Sequence, residues 1–320
     1  MCATIGPPNS NPRRWPKRDG ERVSIVKPMF SSLSPTLPLS TGEGKQAAAR
    51  SCGSTADTAT GTPLPKISRA LLHWFTGYSR RYIRRHFHSL RVARAGLPPA
   101  PQGLPIVLYT NHASWWDPLV CLVLKAEFFP DRAGFAPIDL DAFDRYKLLR
   151  KLGFFGVEQG TRRGAVQFLR TAETILRESY HLLALTPQGR FSDVRERPLR
   201  FPSGLGHLAT RVESALFVPL AVEYVFWEER LPEILVRFGE PVPIGSDHGA
   251  AFPPAYWTDL FEQKLGAAQD ALSLEAQRRD PADFQELLHG GAGQGGIYDW
   301  WRAFRAKLIG ETFNREHGNK

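Results

Sequence analysis

The chain has 320 residues, 42% of them apolar, and a mean hydropathy of -0.29, enough to bury one sizeable core and too polar for a membrane-embedded bundle. Its three cysteines, Cys2, Cys52 and Cys121, lie far apart, which excludes a disulfide framework and a thiolate cage, and no histidine pair shows ligand spacing, so no metal is expected. The net charge of +9 is unevenly placed: residues 1–63 carry eight Lys or Arg against four acids, residues 64–100 carry eight against none, and everything after residue 100 is net -3. A nucleic-acid-binding core carries its own basic face, so no nucleic-acid partner is expected; an anionic membrane surface suits a basic entry segment better.

Residues 1–63 are dense in Pro, Ser, Thr and Gly and too poor in periodic apolar positions to offset chain entropy, so they are expected to be disordered. Met29 is available as a later start. No basic segment followed by an apolar run marks a secretory signal. The most apolar stretch, Leu119 to Phe129, is interrupted by Lys125 and Glu127 and is too short to cross a bilayer. A peripheral protein on the cytoplasmic face of a membrane is the expectation.

From Lys66 to Leu90, Ile67, Leu71, Trp74, Phe75, Tyr78 and Tyr82 recur at helical spacing, with Arg80, Arg81, Arg84 and Arg85 mainly between them. Residues 64–95 therefore form the expected basic amphipathic segment. Trp74, Phe75 and Tyr78 suit headgroup depth and the four arginines suit anionic lipid; a helix packed on the domain with a solvated basic face is the alternative. After the breaker at Gly96-Leu97-Pro98-Pro99, residues 96–250 read as one catalytic domain. Pro105 to Tyr109 predicts a buried strand, Asp117-Pro118 starts a helix, and a strand near Phe135, a helix over Ala142 to Lys151 and a strand at Gly153 to Val157 follow. A helix over Gly164 to Glu178, a strand at Leu182 to Leu185, a helix over Gly204 to Val212, and strands at Ala215 to Tyr224 and Ile234 to Phe238 complete the pattern. The alternation predicts an α/β fold with a central, mostly parallel sheet flanked by helices, an N-terminal amphipathic helix and a C-terminal helical extension. Residues 251–289 form that helical region, and residues 290–320 a Gly-rich linker and a tail in which Trp300, Trp301, Phe304 and Leu308 alternate with Arg302, Arg305 and Lys307. The tail is either a second interfacial helix or a segment that docks back.

Chemistry concentrates where the first core strand ends. Asn111-His112-Ala113-Ser114-Trp115-Trp116-Asp117 places an imidazole and a carboxylate five residues apart. Across a strand-to-helix turn, Asp117 can accept from one ring nitrogen of His112 and leave the other free to take a proton. A neutral imidazole is matched to removing a hydroxyl proton during attack on a thioester, with Asp117 fixing the tautomer. A histidine that merely caps a helix is the bland alternative. Further on, Gly153 to Gln159 precedes Arg162 and Arg163, and Pro187-Gln188-Gly189-Arg190-Phe191-Ser192 forms a polar turn. Arg162, Arg163, Gln188 and Arg190 are candidates for an anionic acceptor, or solvated loop residues. Gly189 offers a backbone N–H to an oxyanion, or merely serves a turn.

The His112 to Asp117 segment, its preceding strand and the later blocks resemble the glycerolipid acyltransferase family with its H-x4-D motif, in the lysophosphatidate (1-acylglycerol-3-phosphate) acyltransferase group, over roughly residues 100–245. The resemblance implies O-acyl transfer from acyl-CoA or acyl-ACP as co-substrate, with no cofactor, to a lyso-phospholipid-like hydroxyl. It implies that His112 is the general base, Asp117 its partner and Gly189 an oxyanion donor. Two signature positions depart from the family: Gln159 stands where its Arg is expected, and Gln188 where its Pro-Glu-Gly-Thr-Arg block has the acid. A different lipid or glycolipid hydroxyl is therefore an alternative acceptor, and a thioester hydrolase or a non-catalytic membrane-binding protein are alternative functions. Pro219, in the apolar run Phe217 to Val222, also matches the family, as the wall of an acyl site or a core strand with a proline at an edge or bulge.

Overall fold

The computed structural model describes residues 64–98 and 103–291; the expectations for residues 1–63 and for the tail beyond residue 291 lie outside them. In chain order the elements are α1 (Arg69–His86), β1 (Ser89–Ala93), β2 (Ile106–Thr110), α2 (Asp117–Phe128), β3 (Ala133–Asp139), α3 (Leu140–Arg145), β4 (Phe154–Val157), α4 (Arg162–Ile175), β5 (His181–Leu185), α5 (Gly204–Ala209), β6 (Ser214–Val225), β7 (Glu233–Phe238), β8 (Val242–Gly245), α6 (Ser246–Gly249), α7 (Pro254–Arg278) and β9 (Phe284–His289). The strands form one mixed, mostly parallel sheet in the order β4-β3-β5-β2-β6-β7-β1-β9, with β8 paired to β6. The α/β class with flanking helices is the one expected.

β2 sits between β5 and β6 and runs parallel to both. It is buried along its whole length, which is why it reads as an unbroken apolar run. Alternate residues serve opposite faces. Val107, Tyr109, Leu183, Leu185 and Phe217 pack under α4, α5 and α7, whereas Ile106, Leu108, Leu182, Val218, Leu220 and Val222 pack under α1 and α2. On the first face the Phe261 ring of α7 stacks on Phe217 at 4.8 Å and touches Tyr109 at 5.3 Å.

Pro219 interrupts no ladder. The amide of Leu216 points toward the β2 side, to Pro105, so the amide position of residue 219 points to the other side. There β8 ends its pairing at Phe217 and β7 begins at Leu220, and the missing N–H falls in the gap between them.

Three strands correct the sequence reading. The amphipathic helix stops at His86, and residues 89–93 form β1. Its central Arg91 is accommodated by Glu233 and Glu286, each at 3.0 Å. Residues 284–289, expected to be helical, form β9 antiparallel to β1, and 242–245 add the short β8. β1 and β9, far apart in sequence, are thus paired at one end of the sheet.

Among the described residues no helix is long and apolar enough to cross a membrane, and no group of three or more His, Cys, Asp or Glu could hold a metal ion. Truncating the ring that joins α7 to the sheet, Phe261→Ala, is expected to cost about 3–5 kcal/mol, read as a lower urea midpoint with an unchanged slope.

Candidate active site

The loops that leave the carboxyl ends of β2 and β5 meet beside the last residues of β6. β5 was inserted between β2 and β3, so the chain leaves β2 in one direction along the sheet and enters β6 in the other, the arrangement that opens a crevice in α/β sheets. His112 stands two residues beyond β2 and Gln188 three beyond β5.

His112 is held on every side. Its Nδ1 lies 2.7 Å from Asp117 Oδ2; a carboxylate only accepts, so Nδ1 carries the hydrogen, and in the neutral ring the lone pair is on Nε2. The His112 backbone N–H donates to Gln188 Oε1 at 3.3 Å, and its carbonyl accepts from Ser192 N–H at 2.9 Å. The Phe191 ring covers the imidazole with 4.2 Å between centroids. One residue earlier, the Asn111 side chain bonds both backbone groups of Val222 on β6, donating to the carbonyl and accepting from the amide at 2.9 Å each. It continues the β2–β6 ladder past the end of the strand.

Asp117 opens α2 and is 1% exposed. Besides His112, its carboxylate accepts from Ser114 N–H at 3.0 Å and from the Tyr224 hydroxyl at 2.6 Å. Burial first, and the Asp117 charge second, push the Tyr224 pKa well above its usual value, so the phenol remains a donor. The same carboxylate helps burial raise the Cys121 thiol to about 12. Three donors and the first turn of a helix thus surround the Asp117 carboxylate.

The other sequence-predicted residues are placed as follows. Gln188 is buried and touches His112. The Gly189 N–H donates to the Thr186 carbonyl at 3.0 Å and the residue has φ of +67°, so it serves the turn after β5. Arg190 is exposed and paired with Glu196. Arg162 and Arg163 are exposed at the start of α4, which follows β4, three strand positions from β2 and so roughly 14 Å along the sheet. The structure does not bring them to His112.

On α1, Trp74 and Tyr78 are exposed, Phe75 is partly buried, and Arg81, Arg84 and Arg85 face solvent. Arg80 instead pairs with Glu127 of α2 at 3.0 Å. Trp74, Tyr78, Tyr82 and His86 form a ladder of ring contacts that continues through Trp116 to Trp115. Tyr224, Asn111 and Phe191 escaped the sequence reading. Only Asn111 carried a signal, as the polar residue that ends a buried strand.

No protein-family model and no curated protein matches the chain. Among solved structures, it is similar to the crystal structure of the 1-acyl-sn-glycerophosphate (LPA) acyltransferase, PlsC, from Thermotoga maritima, with 14% identity and a TM-score of 0.44 over 65% of this chain and 80% of that one. A likeness this distant assigns no activity. The chemistry of the site therefore stands on its own geometry.

Asn111→Ala removes two buried hydrogen bonds and strands both backbone groups of Val222. A loss of about 2–4 kcal/mol in urea unfolding is expected, and a loss below about 1 kcal/mol would show that the ladder ends at Thr110.

Proposed function

We propose that this chain is an O-acyltransferase acting at a membrane surface, moving a fatty acyl group from acyl-CoA or acyl-ACP to a lipid hydroxyl. The observation that carries this reading is the 2.7 Å bond between His112 Nδ1 and a buried Asp117 held by two further donors. Such a pair presents Nε2 as a proton acceptor of fixed tautomer at the mouth of the sheet crevice. No serine hydroxyl or cysteine thiol is hydrogen-bonded to the His112 imidazole among the described residues, so the nucleophile is taken to be the acceptor's own oxygen.

In the proposed reaction Nε2 takes the hydroxyl proton as the oxygen attacks the thioester carbonyl. The tetrahedral intermediate collapses with cleavage of the C–S bond, and the imidazolium returns its proton to the departing thiolate. Asp117 keeps the ring aligned and stabilises its cationic form. Tyr224 acts one step back, by positioning Asp117. A lyso-phospholipid-like acceptor is the first candidate, and another lipid or glycolipid hydroxyl the second.

The exposed Trp74, Tyr78, Arg81, Arg84 and Arg85 support peripheral contact with an anionic membrane, because amphipathic rings and guanidinium groups suit the headgroup layer. The cations in the last turn of α1 also complement its dipole, so lipid contact needs its own test.

His112→Ala is expected to lower turnover of acyl-CoA with a lyso-lipid acceptor by about 10²–10⁴-fold while the thermal melt stays in place; near-normal turnover would sink the assignment. If free thiol is released at the same rate without acceptor, the enzyme is a thioester hydrolase instead. Replacing Arg81, Arg84 and Arg85 together with Ser is expected to weaken sedimentation with phosphatidylserine vesicles by about two orders of magnitude, from about 1 kcal/mol per cation. Unchanged sedimentation would reject the membrane face.

A further inference from the structure

The Phe191 ring lies 4.2 Å, centroid to centroid, from the His112 imidazole at an interplanar angle of 37°, and the residue is 48% exposed. An exposed apolar side chain is ordinary by itself; this one stands against the base. Its backbone is tied down on both sides. The Ser192 N–H donates to the His112 carbonyl at 2.9 Å, the Phe191 carbonyl accepts from Arg190 Nη1 at 3.3 Å, and Arg190 is paired in turn with Glu196. The ring is thus anchored, through the next residue, to the histidine it covers.

Asp117 closes the Nδ1 edge of the imidazole and Phe191 covers one of its faces, so that 20% of the side chain is left exposed. On a ring as small as imidazole, cover over the centre borders Nε2 as well. A nucleophile that gives its proton to Nε2 therefore has an apolar ring alongside it. Water and a lipid alcohol fare differently there. Water is held well only where it finds roughly two to four polar partners, and a phenyl ring supplies none. An alcohol carried on a carbon chain brings methylenes that gain about fourfold in affinity for each one buried, and the exposed part of Phe191 is a place to bury them.

The geometry points to Phe191 as a specificity-determining residue, which leads His112 to activate the hydroxyl of an acceptor carried on carbon in preference to water. The inference rests on the acyltransferase reading of His112 and concerns which nucleophile that site uses. In the side reaction held back, the oxygen of water attacks the thioester carbonyl while Nε2 takes one of its protons. The C–S bond then breaks and the proton passes to the thiolate, which releases free fatty acid and thiol. Transfer differs only in the oxygen that attacks. Both reactions use His112 and Asp117, and the Phe191 ring enters through the choice between them.

The test measures free fatty acid and acylated lipid formed together from radiolabelled oleoyl-CoA by the full chain, with lysophosphatidate, lysophosphatidylcholine and a monohexosyl monoacylglycerol offered as acceptors in one mixture. The ratio of the two products is internal to each preparation, so a variant that folds less completely does not alter it. Phe191→Ala is expected to raise the ratio of fatty acid to acylated lipid about tenfold, the effect of about two methylenes left unburied. Phe191→Leu, which restores an apolar side chain, should stay within about threefold of wild type. The added hydrolysis should disappear in Phe191→Ala/His112→Ala. A fall in both products at an unchanged ratio means that Phe191 only supports the loop; it overturns the inference and leaves the role of His112 standing. Added hydrolysis that persists in the double variant does the same, because the water is then not activated by this base. If wild type forms fatty acid alone, and does so only with His112 intact, the acyltransfer reading fails and the inference falls with it.

Discussion

A carboxylate taken out of water is tolerated only where its lone pairs are met by donors, and Asp117, 1% exposed, is the group on which this site is organised. Its three donors come from three places: the His112 imidazole, the Ser114 amide inside the same loop, and the Tyr224 hydroxyl at the far end of β6. Because Asp117 is also the first residue of α2, satisfying it fixes where the helix begins, how the loop turns and which way the imidazole faces. Removing one donor would leave a buried charge partly unmet, a larger penalty than the loss of one ordinary hydrogen bond. Stability and the orientation of the imidazole are therefore served by the same bonds.

The strand order explains why such a loop can be rigid. With β5 on one side of β2 and β6 on the other, both parallel to it, the backbone beyond Thr110 has neighbours on both flanks. Side-chain amides then take over from the main chain. Asn111 pairs with Val222 as another residue of the ladder would, and Gln188 meets the His112 amide from the β5 side. The glutamine is an acceptor at this position, as a glutamate would be, without adding a second negative charge beside Asp117. A neutral side chain there is compatible with the anchoring role, whatever else a carboxylate would have done.

Local pattern was enough to read some of this and not the rest. β2 was visible because both faces are buried, and the His112 to Asp117 spacing because the turn that joins them is contiguous in sequence. β1 was hidden by Arg91, whose charge is compatible with a buried strand only once Glu233 and Glu286 arrive from β7 and β9. β9 followed a long helix and offered only Phe284 and Leu288 as buried positions. Tyr224 lies 107 residues from Asp117 and looks like any aromatic at the end of a core strand. The Gly189 motif was visible but its use was not, since the role of an amide depends on which carbonyl it meets, and here that is Thr186.

Charge counted along the chain also differs from charge available at the site. Arginines at 190, 195 and 197 give the loop after β5 a basic look, yet each is matched by a nearby acid: Glu196, Asp193 and Asp270 respectively. Arg162 and Arg163 stand at the far side of β3 and β5. Further cations stand on α1, where Arg81, Arg84 and Arg85 face solvent on the helix that also carries the ring contacts leading to Trp116 and Trp115. The charges of α1 are open to screening by salt, whereas the groups around His112 are joined by short, directed hydrogen bonds that salt screens far less. The charge exposed on α1 and the hydrogen bonding around His112 are thereby kept on separate parts of the fold.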